Sequence, residues 1–270
     1  MTAISTTKDV ANILFFLATV ILATMTYWQA KKTIFTPFRT EAFKLQLKAL
    51  EDVLVFFEKH PTTNIDDQFD FDNIVRLNAH RLLDSYALAF FRADLDLEKL
   101  AIAREALDKE RVGAIVNQEF MEQHFAQPTH LGIETSRPTE EAPTNPAIIL
   151  ARWMEYKHGM VEYTARFDEA SERLRRFRVS PLLPTELKEL IRAFEKTVTE
   201  NLRLIGQVMT AIAKELPQKF PSVASLQKAN LGWIWNEYNH NRTLLSDNQN
   251  AVLTFVSDYL QIDTLLSKKE

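Results

Sequence analysis

The 270-residue chain contains no cysteine and only 5 glycines. Without cysteine there are no disulfides, no thiolate metal sites and no cysteine nucleophile, which suits a reducing compartment. Glycine far below its usual ~7% leaves little material for tight turns, β-bulges or phosphate cradles. Neither G-x-x-x-x-G-K-[ST] nor G-x-G-x-x-G occurs, which argues against a P-loop ATPase or a dinucleotide-binding enzyme. An excess of charge of one sign is also missing: 32 Lys and Arg face 36 Asp and Glu, for a net charge of -4. No nucleic acid is therefore expected as a partner. What remains favours helices, and a hydrophobic fraction of 46% is ample for a core.

One long apolar run stands out. Residues Val10 to Trp28 read VANILFFLATVILATMTYW, with no charge. As a helix this run rises ~28 Å, close to the ~30 Å hydrocarbon core of a bilayer. Tyr27 and Trp28 stand where aromatic rings favour the lipid interface, and Lys31 and Lys32 come next, where long side chains snorkel. A cleaved signal peptide fits poorly, because Asp9 cancels Lys8 and no small-x-small site precedes Lys31. Lys31, Lys32, Arg39 and Lys44 outweigh the basic charge before the run. The positive-inside rule then places residues 1–9 outside the cell membrane, a single transmembrane helix over 10–30, and the rest in the cytoplasm.

The expected fold is all-α: one transmembrane helix, then an elongated cytoplasmic bundle of long antiparallel helices. Thr36 and Pro37 read as N-cap and first position of a helix bearing Phe43, Leu47, Leu50, Leu54 and Phe57 on one face. An acidic loop of Asp66, Asp67, Asp70 and Asp72 leads into the next helix, with Asp72 as its cap; a calcium loop would need a glycine and a distal glutamate that are absent. Helix is expected from 97 to 124. The proline-rich stretch 127–146 reads as an exposed loop dividing helical subdomains at 36–126 and 147–270, which could share one core.

Beyond it, Trp153, Tyr156, Met160, Tyr163, Phe167, Ala170, Leu174 and Phe177 recur at spacings of three and four. This predicts a coiled-coil-like helix of ~30 residues. Pro181 and Pro184 break it, and a helix over about 185–215 offers Leu187, Ile191, Phe194, Val198, Ile205, Met209 and Ile212 as the facing surface. Further helices are expected over about 222–243 and 248–266, the last capped by Ser246 or Asp247.

Four constellations bear on chemistry. Glu155-x-x-His158 and Glu237-x-x-His240 repeat the motif of di-iron carboxylate bundles, with Glu119 and Glu195 as conceivable bridges. Helical phase sets His158 opposite the aromatic seam, so no metal or other cofactor is expected. Trp233, Trp235, Tyr238, His240 and Arg242 crowd together as aromatic core or as a ligand or partner surface. Arg152 and His158, at R-x5-H spacing, resemble the HEPN-type helical ribonucleases, and this resemblance implies an arginine and a histidine cooperating in RNA cleavage. Arg173, Arg175, Arg176 and Arg178 end a helix, where cations complement its dipole or meet anionic lipid.

The expected function is a membrane-anchored scaffold that recruits a protein partner, or a second copy of itself, at the inner face of the bilayer. The alternatives are an oligomerising membrane effector and a helical enzyme.

Overall fold

Most of the chain folds as helix in a computed structural model that describes residues 2–58, 64–117, 120–121 and 145–260, without the side chains of 2–11, 13 and 32–39. The proline-rich stretch up to residue 144, Glu119 and the chain beyond 260 lie outside the described residues. The structure divides into two units, Met1–Phe56 and Phe57–Glu270.

The first unit is almost wholly α1 (Thr2–Phe57), which runs on unbroken through the helix start expected at Thr36 and Pro37. A proline inside a helix removes one backbone hydrogen bond, and strong formers on both sides, Ala30, Lys31 and Lys32 before it and Glu41, Ala42 and Lys44 after it, carry the helix past. From Leu14 to Trp28 its large apolar side chains are 52–71% exposed on every side. Among the described residues no helix is long and apolar enough to cross a membrane. Residues 10, 11 and 13, where the apolar run begins, are among those without described side chains.

In the second unit the axis is the helix Thr185–Ala213, where the sequence periodicity is strongest. Its Leu187, Ile191, Phe194, Val198, Ile205, Met209 and Ile212 are each at most 2% exposed, as an apolar stripe at i, i+4, i+7 spacing requires. In chain order the elements are α2 (Ile65–Gln68), α3 (Phe71–Phe91), a 3-10 turn (Arg92–Asp94), α4 (Leu97–Glu110), β1 (Arg111–Val116), α5 (Pro146–Met154), β2 (Met160–Thr164), α6 (Ala165–Val179), α7 (Thr185–Ala213), α8 (Leu216–Lys219), α9 (Val223–Leu226), α10 (Gly232–Asn241) and α11 (Ser246–Leu260). Helices α3, α6, α10 and α11 all pack on α7, so elements before and after the proline-rich stretch share one core. Phe57, Phe69, Phe71, Phe167, Phe194 and Tyr238 knit it together, with ring centroids 5.0–6.1 Å apart in mostly edge-on or tilted pairs.

The all-α expectation needs one correction. β1 and β2 form a two-stranded antiparallel sheet with Gly113 opposite Tyr163 and Ala114 opposite Glu162. The continuous helix expected from Trp153 to Phe177 is therefore absent: α5 stops at Met154, β2 intervenes, and only α6 keeps the buried face of Phe167, Ala170 and Leu174. Three-and-four spacing of aromatics is compatible with this break, since Val161, Tyr163 and Thr164 carry the β-branched and aromatic side chains that fit a pleated surface. β1 likewise ends the helix expected over 97–124 at Glu110.

A second correction concerns the cap of α3. It is Asp70 and not Asp72, and its backbone is left-handed at φ 54, ψ 31. Its carboxylate accepts from Asn73 Nδ2 and from Thr164 Oγ1, each at 2.7 Å, so two neighbours hold a conformation that a non-glycine residue adopts at a cost.

Candidate functional site

The side of α7 turned away from the core carries Thr199, Arg203, Gln207, Thr210 and Lys214, which recur every turn. This face forms the floor of a groove of about 1540 Å³. Its walls are the segment Arg152 to Gly159, the end of the hairpin at Ile115, Val116, Asn117 and Val161, and Phe120. Two glycines set how closely the walls approach. A Cβ on Gly206 would come within 2.9 Å of Val161 Cγ2, so glycine lets α7 lie against β2; a Cβ on Gly159 would fall 2.1 Å from the Phe120 ring. Among its described lining residues are four cations, Arg152, Lys157, Arg203 and Lys214, and one carboxylate, Glu155; Arg152 and Lys157 are already engaged in other interactions.

Under the groove the wall is fixed by one buried amide. Asn78, on α3, is fully buried. Its Nδ2 donates to Ile74 O and Glu162 O, both at 2.8 Å, and its Oδ1 accepts from Glu162 N at 3.0 Å. The side chain thus meets both backbone groups of one β2 residue, as a neighbouring strand would. The same Oδ1 lies 3.1 Å from His158 Nε2, and because that oxygen can only accept, Nε2 carries the proton. His158 Nδ1 then accepts from the Tyr156 hydroxyl at 3.0 Å. Both ring nitrogens are engaged, and burial holds the imidazole far below its ordinary range, at about 4, with the nearby Glu162 carboxylate opposing. Burial pushes the Tyr156 phenol up to about 12. Tyr156 stacks on Trp153 with centroids 4.7 Å apart, and the Trp153 indole donates to Ala213 O at 2.7 Å.

Beside this amide the Glu162 carboxylate, its side chain 4% exposed, accepts from Arg81 Nε at 2.9 Å and Arg111 Nη1 at 2.8 Å. Arg81 also pairs with Asp108, whose carboxyl is held below its usual range chiefly by that hydrogen bond. A buried carboxylate with two guanidinium partners ties the hairpin to α3 and α4.

Of the residues singled out from sequence, Arg152 and His158 reach the same groove, but an imidazole with both nitrogens bonded and a depressed pKa has no free base for RNA cleavage. The two Glu-x-x-His motifs are not brought together: Glu155, Glu237 and His240 are exposed, Glu237 takes a hydrogen bond from Asn241, and among the described residues no three His, Asp or Glu side chains could hold a metal. Glu195 pairs with Arg178 at 3.1 Å.

The expected aromatic ligand surface is only partly internal: Trp233, Trp235 and Arg242 are half-buried and His240 is exposed. Tyr238 is fully buried, Arg242 reaches the buried Asp66 at 3.0 Å, Trp235 lies 5.5 Å from Tyr238, and Lys219 sits 3.4 Å over the Trp233 ring. Burial raises the Asp66 carboxyl, with Arg242 opposing. Among the basic run, Arg175 and Arg176 pair with Glu172, and Arg173 is also engaged. Tyr27, Trp28 and Lys31 are exposed on α1, and the side chain of Lys32 lies outside the described residues.

Sequence reading missed Asn78, Glu162, Arg203 and Lys214. Asn78 had a signal: it is a lone amide within the apolar face made by Ile74, Val75, Leu77 and Leu82. Nothing in the sequence sets Arg203 and Lys214 apart from other cations on helices. Comparison with protein-family models, curated proteins and solved structures finds no match to this chain.

Proposed function

We propose that α1 anchors the chain in a membrane and that the unit from Phe57 onward works on the cytoplasmic side as a recruitment module, engaging its partner through the groove. The observation that carries the reading is the all-round exposure of Leu14, Phe15, Phe16, Leu17, Val20, Ile21, Leu22 and Met25. Soluble proteins rarely leave contiguous apolar surface beyond a few hundred Å² in water, whereas a helix apolar on every side suits lipid. Its polar atoms are compatible with that solvent. The hydroxyls of Thr19, Thr24 and Thr26 each donate to the carbonyl four residues earlier at 2.7 Å, so these three donors do not need water. Lys31, Lys32, Arg39 and Lys44 favour a cytoplasmic placement for the remainder of the chain.

Carbonate extraction of membranes containing the full chain tests the anchor. The wild-type chain stays in the pellet, and a Leu17→Arg, Ile21→Arg double variant moves to the supernatant. Release of the wild-type chain by carbonate contradicts the proposal.

A further inference from the structure

We propose that two copies of this chain pair through the outer edge of β1, antiparallel about a two-fold axis at Ile115, so that two hairpins join into one four-stranded sheet. The pairing adds self-association to the recruitment reading, and it rests on the proposed anchor only in that a shared bilayer concentrates the copies.

The phase of the hairpin fixes which backbone groups of β1 face outward. Asn117 N donates to Gly159 O at 2.8 Å, so 117 and 159 form a hydrogen-bonded pair. Counting back through the register, Ile115 opposite Val161 and Gly113 opposite Tyr163 are hydrogen-bonded pairs as well, while Val116 opposite Met160 and Ala114 opposite Glu162 are not. The contacts of Glu162 agree with this alternation, since its N–H and its carbonyl both go to the Asn78 amide on the far side of β2. Ala114 and Val116 therefore turn their N–H and carbonyl groups away from β2, and among the described residues no backbone group pairs with them.

The fold closes one edge of this sheet and leaves the other open. Asn78 occupies the β2 edge in the manner of a strand, and β1 has no such cover among the described residues. Exposed edges are commonly guarded by charge, proline or a bulge. From Val112 to Val116 there is no charge and no proline, and the irregular register is confined to Arg111 and Gly113, which leaves the strand regular from Gly113 on. Val112 and Val116 are 56% and 37% exposed, and β-branched side chains of this kind fit a pleated surface with a strand on each side.

A second copy is the occupant this edge fits. Two outward-facing residues, one position apart from Ile115 on either side, are complementary to themselves under a two-fold: Ala114 and Val116 of each copy exchange both backbone bonds with Val116 and Ala114 of the other, and the two Ile115 side chains meet on the axis. Selection of a foreign strand relies on pockets for its alternate side chains, and the edge offers only uncharged Val, Ala and Ile. Strand pairing of this length buries less than the ~1,000 Å² of a free-standing stable interface, so it is favoured where copies are held at high local concentration, as two chains in one bilayer are.

The test is copper-phenanthroline oxidation of the full chain carrying Ile115→Cys, co-expressed with two different tags, in a protein that has no cysteine of its own. Opposed residues of a non-hydrogen-bonded pair stand ~4.5 Å apart at Cα, within disulfide reach. Val179→Cys, 69% exposed on α6, is the collision control. The expected result is a disulfide-linked dimer bearing both tags, about tenfold or more above the control. Adding Val116→Lys places a charge on the edge, and adding Val116→Pro removes an outward N–H without touching the ladder to β2; either should lower the dimer about tenfold with an unchanged thermal melt. Three results overturn the proposal: Ile115→Cys linking no more than Val179→Cys, a dimer yield unaffected by both Val116 substitutions, or linkage of a tagged chain to a different protein in place of the second copy. Oxidation is run on whichever fraction carbonate treatment leaves the chain in, so failure of the anchor and failure of the strand pairing are read separately.

Discussion

Replacing Asn78 by alanine should destabilise the second unit far more than the size of the side chain suggests. The amide makes hydrogen bonds to Glu162 N, Glu162 O and His158 Nε2, and its removal leaves three polar groups of a buried segment without their partner. At ~1–2 kcal/mol for each group left unmatched, with partial access of water to the groove side, the loss is about 4 kcal/mol. Against a domain stability of ~5–15 kcal/mol, that shifts the unfolding midpoint decisively. Urea titration of the full chain in mild detergent, followed by tryptophan fluorescence, reads the change, since Trp153 stacks on Tyr156 in the same network. A loss below about 1 kcal/mol refutes the reasoning, because it means that water replaces the amide at no cost.

Neighbouring groups give three further outcomes. His158 stays neutral in the folded chain down to about 4, while the unfolded chain takes up its proton near 6.5; stability should therefore fall as pH drops through this window, by up to ~3 kcal/mol, and His158→Gln should flatten the profile. Glu162→Ala removes the buried carboxylate shared by Arg81 and Arg111 and should cost about 2 kcal/mol in the same urea assay, since both arginines keep Asp108 and Arg111 reaches water; a near-neutral result would show that the carboxylate does not hold the hairpin to α3 and α4. Tyr238 Oη is buried without a hydrogen-bond partner among the described residues, so Tyr238→Phe should raise thermal stability by ~1 kcal/mol, and a clear loss would reveal a partner for the hydroxyl.

The helix content was legible because low glycine and the stripe from Leu187 to Ile212 each report directly on backbone and burial. α7 emerged with the boundaries and the buried face that its periodicity demands. The hairpin was hidden for a physical reason. Strand pairing between residues near 114 and 162 is non-local, and nothing in either segment alone announces the other. The aromatics at Trp153, Tyr156, Tyr163 and Phe167 recur at helical spacing although three different elements, α5, β2 and α6, and the connection at Tyr156 carry them. The R-x5-H spacing drew attention to Arg152 and His158, which line the groove, but only the contacts with Asn78 and Tyr156 show that both nitrogens of the imidazole are engaged. Arg203 and Lys214 could not be picked out from sequence, since exposed cations on a helix look alike until the fold shows which of them line a groove.

Because the chain has no cysteine, single cysteines introduced into it report topology without background. Labelling intact cells with a membrane-impermeant maleimide, with Thr7→Cys and the exposed Asn250→Cys as probes, is the most direct test of the anchored arrangement. With the amino terminus outside and the second unit inside, Thr7→Cys reacts in intact cells and Asn250→Cys reacts only after lysis; labelling of Asn250→Cys from outside, or equal release of both variants into the soluble fraction, contradicts it.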